Sequence, residues 1–314
     1  MTETKSKNQF LLGASMAILA TIIWAGNFII ARSAKSSIPP ISLAFYRWLS
    51  ATIILLPFTW HLFIKEIAIV KKQSWFFLLT AIAGVSLFNT FVYIAGHYAE
   101  AINLALIGTT SSPVFSVILA RIFLGEKIPL NRIIGMLICI VGILLLLSKG
   151  SWEVLRTFSF TKGDWWMLAA AICFAIYNVC AKKKPANMST RNFLFTVFLM
   201  GTIFLFPFYI AELNAKSGFS FNFSNIGAII YLGLGASVIC FLLWSKSIQL
   251  IGTGRAALFG NLIPVFSSIE AVILLNEKIS SLHIYSFILV IAGLLIANLQ
   301  IRSFIQDITR KKTV

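Results

Sequence analysis

Along the chain, apolar stretches of about 20 residues alternate with short polar segments bounded by charge, Pro, Asn or Ser. About 20 apolar residues are what a helix needs to cross the hydrocarbon core of a bilayer, so each stretch predicts one crossing. Five such helices are expected at about 10–31, 41–64, 74–96, 102–124 and 130–148, and five more at about 164–181, 191–211, 225–248, 255–275 and 281–301. They are numbered helix 1 to helix 10. Residues 149–162 form a polar connecting loop, and residues 302–314 a basic tail. Lys5 and Lys7 precede the first stretch, and Ala31 and Ser33 are spaced like a signal-peptidase site. Phe10 to Ile30 is nevertheless a full span, longer than the roughly 7–15 residues of a secretory apolar core, so helix 1 is expected to stay uncleaved.

Composition agrees with this pattern. Of 314 residues, 59% are hydrophobic and 11% charged, which points to lipid as the solvent and leaves no separate soluble domain. The expected fold class is therefore an all-α integral membrane protein of ten transmembrane helices. The formal charge of +16 does not indicate nucleic acid, because the basic residues sit between apolar runs rather than on one soluble face. They sort by side instead. The N-terminus, the even-numbered loops and the C-terminus carry 18 Lys and Arg, the odd-numbered loops seven, and Arg47 lies alone inside helix 2. Lys and Arg are retained on the cytoplasmic side, so both termini are expected there, in a bacterial inner membrane. Cys139, Cys173, Cys180 and Cys240 lie inside apolar runs without Cys-x-x-Cys spacing and read as packing residues. His61, His97 and His283 are far apart in sequence, and no local zinc motif is present.

The chain also resembles itself. A shift of 151 residues aligns Pro113-Val114-Phe115-Ser116 with Pro264-Val265-Phe266-Ser267, Glu126-Lys127-Ile128 with Glu277-Lys278-Ile279, and Gly142 with Gly293. A shift of 150 pairs Gly13 with Gly163, Ala20 with Ala170, Pro57 with Pro207 and Phe58 with Phe208. The expected units are a first repeat at 10–148 and a second at 163–301. Five helices is an odd number, so the second repeat enters the membrane from the opposite side. Inverted repeats of this kind recur in carriers whose halves rock around a site near the bilayer midplane.

Trp24-Ala25-Gly26-Asn27-Phe28 in helix 1, the Pro-Val-Phe-Ser to Glu-Lys-Ile stretches of helices 4 and 9, Leu243-Trp244-Ser245-Lys246, Ile251-Gly252 and Asn261-Leu262-Ile263-Pro264 together resemble the EamA family of the drug/metabolite transporter superfamily. The resemblance spans about residues 10–300, judged by motif order and spacing. It departs at Asn276-Glu277, where the family has Gly-Glu, at Trp24-Ala25, where Trp-Gly is common, and at His97 and Glu100, where small or apolar residues are common. The resemblance implies a secondary transporter of amino acids, their derivatives or drug-like compounds, commonly an exporter. Similar chains include importers of nucleoside-type metabolites such as S-adenosylmethionine, which is the alternative within the class.

Candidate chemistry lies where polar groups interrupt the spans. Pro113 and Pro264 sit mid-helix at equivalent positions, where a lost backbone hydrogen bond marks either a hinge beside the site or a packing kink. Nearby Thr109, Thr110, Ser111 and Ser112 can satisfy the loosened backbone. Helix 3 carries Ser86, Asn89, Tyr93 and His97 at spacings of three or four, which places them on one face. Helix 8 offers Ser237, Cys240 and Trp244, helix 1 Trp24 and Asn27, and helix 6 Phe174, Tyr177 and Asn178. With Asn261, these describe an aromatic cavity bearing amides and hydroxyls; interfacial anchoring is the rival account of the Trp and Tyr residues. Such a cavity suits a zwitterionic or weakly charged metabolite better than a polyanion.

Intramembrane charge is a functional hypothesis by default. Glu270 and Arg47 both fall toward the periplasmic side, where they can form a structural ion pair, Glu270 can snorkel to the interface, or Glu270 can serve proton coupling. Nine residues at about 100° each set Glu270 nearly opposite Asn261 and away from Ser268, which argues for the structural role. Glu126-Lys127 and Glu277-Lys278 end helices 4 and 9 as gate latches or as ordinary helix-end charge. A phosphate-binding G-x-x-x-x-G-K-[ST], an H-E-x-x-H, a G-x-S-x-G and a carboxylate cluster are all lacking, so neither ATP hydrolysis nor an enzyme is expected, and no cofactor or metal. A membrane-embedded enzyme or a channel is the alternative of another class. The expected partners are the bilayer and a small-molecule substrate, with the chain a monomer or weak homo-oligomer.

Overall fold

A computed structural model of the chain describes residues 2–34, 37–98, 101–148, 150–157, 161–215, 218–275 and 281–298. The described residues form helices throughout. Helix 1 spans Thr2–Ala34, helix 2 Pro40–Lys72, helix 3 Ser74–Tyr98, helix 4 Ala101–Leu124 and helix 5 Leu130–Leu147. Helix 6 spans Lys162–Lys182, helix 7 Thr190–Ala215, helix 8 Phe223–Ile251 and helix 10 Ser281–Asn298. Helix 9 runs in three pieces, Thr253–Leu258, a tighter turn at Phe259–Leu262, and Ile263–Leu275. A short helix, Trp152–Arg156, sits in the connecting segment.

Among the described residues, helices 1, 2, 3, 6, 7 and 8 are each long and apolar enough to cross a membrane. Shorter apolar helices at Ser111–Leu124, Leu130–Leu145 and Ile284–Asn298 belong to helices 4, 5 and 10. With helix 9, this is the ten-helix membrane architecture that the hydropathy predicts. The outer surface is apolar: Leu19, Phe58, Ile203 and Leu295 are all exposed, as lipid contact requires.

The two repeats meet about a pseudo-two-fold axis. Thr52 and Thr202 are equivalent under the 150-residue shift, and their hydroxyls lie 3.4 Å apart where helix 2 crosses helix 7. Each of these helices also caps the other. Glu66 near the end of helix 2 accepts from the backbone N–H of Ser189, next to helix 7 (3.2 Å), and from the Asn192 side chain (2.8 Å). Glu212 near the end of helix 7 accepts from the Ser42 N–H (2.7 Å) and hydroxyl (2.9 Å) at the start of helix 2. Free N–H groups at a helix start favour a carboxylate, so the exchange is stabilising at both ends.

Helices 5 and 10 form the second symmetric pair. Gly135 lies against the Gly293 carbonyl, so close that a Cβ on Gly135 would sit 2.4 Å from it, and Ser286 donates to the Gly142 carbonyl at 2.6 Å. Small residues let membrane helices approach closely enough for dispersion to hold them.

Helices 3 and 8 share a device that period reading misses. Each contains a π-helical segment, Ile82–Leu87 in helix 3 and Tyr231–Ile239 in helix 8, at equivalent places in the two repeats. A π turn displaces the ordinary i→i+4 bonds and leaves carbonyls to be satisfied from outside the helix. In hydrocarbon those partners must come from protein.

Candidate functional site

The carbonyl of Ala236, inside the helix 8 π segment, accepts from Trp24 Nε1 of helix 1 at 2.8 Å and from Arg47 Nη2 of helix 2 at 3.1 Å. Arg47 is 1% exposed and forms the polar centre of the bundle. Its Nε donates to Ser237 Oγ at 2.7 Å, and its Nη1 faces Asn89 Oδ1 (2.8 Å), Asn27 Oδ1 (3.0 Å) and the Tyr93 hydroxyl (3.1 Å). All five partners are neutral. Burying an unpaired cation costs several kcal/mol in a protein, and hydrogen bonds from every side of the guanidinium are the compensation this site supplies.

Arg47 opens onto a cavity of about 730 Å³ of empty space, mouth included. Its wall takes residues from both repeats: Trp24 and Asn27, Phe88 and Asn89, Ser112 and Pro113 from the first, and Met167, Phe174, Trp244 and Gly260 from the second. Arg47, Gly108 and Met167 lie within about two turns of the starts of helices 2, 4 and 6, which all enter from the side opposite the N-terminus. The aromatic wall is held by its own packing. Trp24 meets Phe174 edge-on at 5.7 Å and Trp244 at 5.0 Å, while Phe88 stacks on Phe174 at 4.7 Å. Trp244 is aimed by a bond from its Nε1 to Asn178 Oδ1 at 2.8 Å, and Asn178 in turn donates to Ser116 of helix 4 at 3.0 Å.

Of the residues singled out from the sequence, Trp24, Asn27, Asn89, Phe174, Trp244 and Pro113 line this cavity. Others serve it from behind or lie elsewhere. Tyr93 and Ser237 bind Arg47, and Asn178 orients Trp244. Tyr177 packs against Gly84 and shares a hydrogen bond with Ser245 at 3.2 Å. Ser86 donates to the Gly201 carbonyl of helix 7 at 3.0 Å, because the π segment breaks the regular spacing that would have put it on the face of Asn89. Cys240 contacts the Ala20 carbonyl, His97 is exposed, and Pro264 is buried outside the lining. Asn261 is 1% exposed and outside the lining, and among the described residues neither its Oδ1 nor its Nδ2 has a hydrogen-bond partner.

Arg47 does not pair with Glu270. The oxygens it donates to are all neutral, with one Nη2 N–H not engaged by them, and the Glu270 carboxylate lies instead beside Gly26, Oε2 being 3.4 Å from where a Cβ would stand there. Arg47, read from the sequence as a partner for that carboxylate, is a wall residue of the cavity. A signal for this was present in the repeat: the 150-residue shift places Val197 opposite Arg47, so the cation breaks the symmetry rather than following from it. The lining residues Phe88, Val92, Met167 and Ile263 carried no signal beyond apolarity.

At the N-terminal end the two repeats are tied together. Gly252, at φ +88°, turns helix 8 directly into helix 9. Glu126, just after helix 4, accepts from the Thr253 N–H at 2.8 Å and the Gly254 N–H at 3.1 Å. Lys182 Nζ reaches the Ile248 and Gln249 carbonyls at 3.1 Å, and Gln249 returns a bond to the Ala181 carbonyl at 2.6 Å. Glu277-Lys278, Glu100, the side chains of Thr109, Thr110 and Ser268, and the basic tail lie outside the described residues.

The sequence profile of the EamA-like transporter family matches residues 11–148 and again 161–299. The chain belongs to the EamA-like transporter family. As an EamA-like transporter it is a multi-pass membrane carrier and not an enzyme. It is 30% identical over 293 residues to an uncharacterized transporter of Archaeoglobus fulgidus, covering 92% of this chain and 96% of that one. It is 23% identical over 292 residues to a probable amino-acid metabolite efflux pump of Escherichia coli K12, covering 90% and 93%. A crystal structure of a protein 19% identical in sequence shares its fold, with a TM-score of 0.75 over 95% of this chain and 99% of the other.

Proposed function

We propose that this EamA-like transporter moves an amino acid or amino-acid derivative out of the cell by alternating access, through an inner membrane with both termini in the cytoplasm. The observation that carries the reading is the cavity itself. Its wall is drawn from both repeats, so any rocking of one repeat against the other must change access to it. It offers amides, one hydroxyl and four aromatic rings, a lining for a small solute with an apolar body. The cytoplasmic orientation follows from the excess of Lys and Arg in the N-terminus and even loops. On that orientation, the Glu126 bonds to helix 9 close the cytoplasmic end, with Pro113 and Pro264 near the pivot. S-adenosylmethionine would bring a sulfonium cation to a cavity that already holds Arg47, which favours the amino-acid reading. The test compares extracellular metabolites of cells with and without overexpression of the chain. Enrichment of an amino acid or derivative outside the cell is expected, and an unchanged profile of small metabolites refutes export.

A further inference from the structure

We propose that the cavity recognises a single carboxylate through Arg47 and Asn89, and that its substrate is a monoanionic acid with an apolar body whose amino group is neutral or blocked. The proposal rests on the transport reading above and narrows its substrate class.

Three observations meet at one end of the cavity. The first is Arg47, buried, lining the cavity, and bonded only to neutral oxygens, so its charge is uncompensated by any carboxylate it touches. The second is the amide of Asn89. Because Arg47 holds its Oδ1, the Nδ2 end must point away from the guanidinium, and in a side chain only 2% exposed that Nδ2 has no hydrogen-bond partner. A buried donor without a partner is unfavourable, so it marks a place where an acceptor is missing. The third is Asn27, a second lining amide whose Oδ1 also accepts from Arg47. A guanidinium with one Nη2 N–H not engaged, beside the unpartnered Asn89 amide, matches an anion with two oxygens on one plane, as a carboxylate has.

The opposite wall supplies no matching anion. Trp24, Phe88, Phe174 and Trp244 face the remaining space, and among the described residues the lining contains neither Asp nor Glu. Glu270 stands beside Gly26 and Tyr231, outside the lining. A zwitterion would satisfy its carboxylate, but its ammonium would find only ring faces beside a fixed guanidinium, an attraction opposed by the repulsion between the two cations. An acid with its amine acylated or absent satisfies both ends.

The experiment uses purified full-length protein and radiolabelled N-acetylphenylalanine in equilibrium dialysis, competed by phenylalanine and by N-acetylphenylalaninamide. N-acetylphenylalanine is expected to bind, its amide to compete about tenfold or more weakly, since a charge-assisted bond is lost, and phenylalanine to compete more weakly than the acid. Equal competition by the amide overturns carboxylate recognition, equal or better competition by phenylalanine overturns the blocked-amine claim, and no binding of the acid overturns both. Asn89→Asp gives an independent check, because it keeps the side-chain shape and neutralises Arg47 at the 2.8 Å contact. It is expected to weaken acid binding by about tenfold or more while the protein remains folded; undiminished binding contradicts the proposal. Flux in proteoliposomes is read separately. Binding without flux leaves the recognition site standing and removes the transport reading, and flux of the amide at the rate of the acid does the reverse.

Discussion

Replacing Glu126 by Ala removes the acceptor for two N–H groups in the first turn of helix 9, Thr253 at 2.8 Å and Gly254 at 3.1 Å. Glu126 is half-buried, so the middle of the range for such bonds applies. A helix-start acceptor contributes about 0.5–2 kcal/mol and the favourable dipole about 0.3–1 kcal/mol, so about 2 kcal/mol is lost from the closed end at Glu126, cytoplasmic on the proposed orientation. At 25 °C that shifts the open population about 30-fold. Glu126→Gln retains a neutral acceptor and gives roughly half the free-energy loss, about a fivefold shift. The readout is the labelling rate of Ala257→Cys, a cavity-lining position, by a membrane-impermeant maleimide in inside-out vesicles. Cys139, Cys173, Cys180 and Cys240 are first changed to Ser. Labelling is expected to accelerate in the order wild type, Glu126→Gln, Glu126→Ala. Equal rates in all three refute the assignment of Glu126 as a cytoplasmic latch.

Three further outcomes follow from the packing. Gly135→Ala places a Cβ 2.4 Å from the Gly293 carbonyl and 2.5 Å from the Ala297 nitrogen, backbone atoms that cannot rotate away. It should cost about 2 kcal/mol or more and lower the thermal midpoint, whereas Gly96→Ala, which meets nothing within 4 Å, should stay near neutral. Asn178→Leu strands the Trp244 indole N–H and the Ser116 hydroxyl. A loss of about 1–3 kcal/mol in thermal unfolding, with KM raised more than kcat is lowered, is expected. Glu66→Ala and Glu212→Ala each remove one of the reciprocal caps between helices 2 and 7. Each should cost about 1 kcal/mol in denaturant or thermal unfolding, and the double variant should show the plain sum, because the two caps lie at opposite ends of the pair.

Much of this architecture was legible because lipid imposes few solutions. Backbone polar groups in hydrocarbon must be satisfied within a helix, so apolar length alone counted the spans. The self-alignment located the repeats because Pro, Gly and Glu-Lys landmarks survive where apolar residues drift. The site was legible in its aromatic and amide residues, and less so in its assembly. Regular helical spacing placed Ser86 beside Asn89, but the π segment at Ile82–Leu87 turned Ser86 toward helix 7. Asn261 sits in the tighter turn at Phe259–Leu262 and is buried outside the cavity lining. A lone intramembrane cation calls for a partner, and Glu270 is the one acidic candidate the spans offer Arg47. The actual partners are side-chain oxygens from three other helices and a carbonyl freed by the second π segment, contacts that no spacing rule encodes.

The central claim is that one cavity, shared by both repeats, is exposed to the two sides of the membrane in turn. Counterflow tests it directly. Proteoliposomes are preloaded with the unlabelled amino acid or derivative that overexpression enriches outside the cell, and uptake of the same compound in labelled form is followed. Alternating access predicts saturable entry, accelerated by preloading, with the label transiently accumulating above its external concentration. Entry that rises linearly with concentration and ignores the preload would contradict the account.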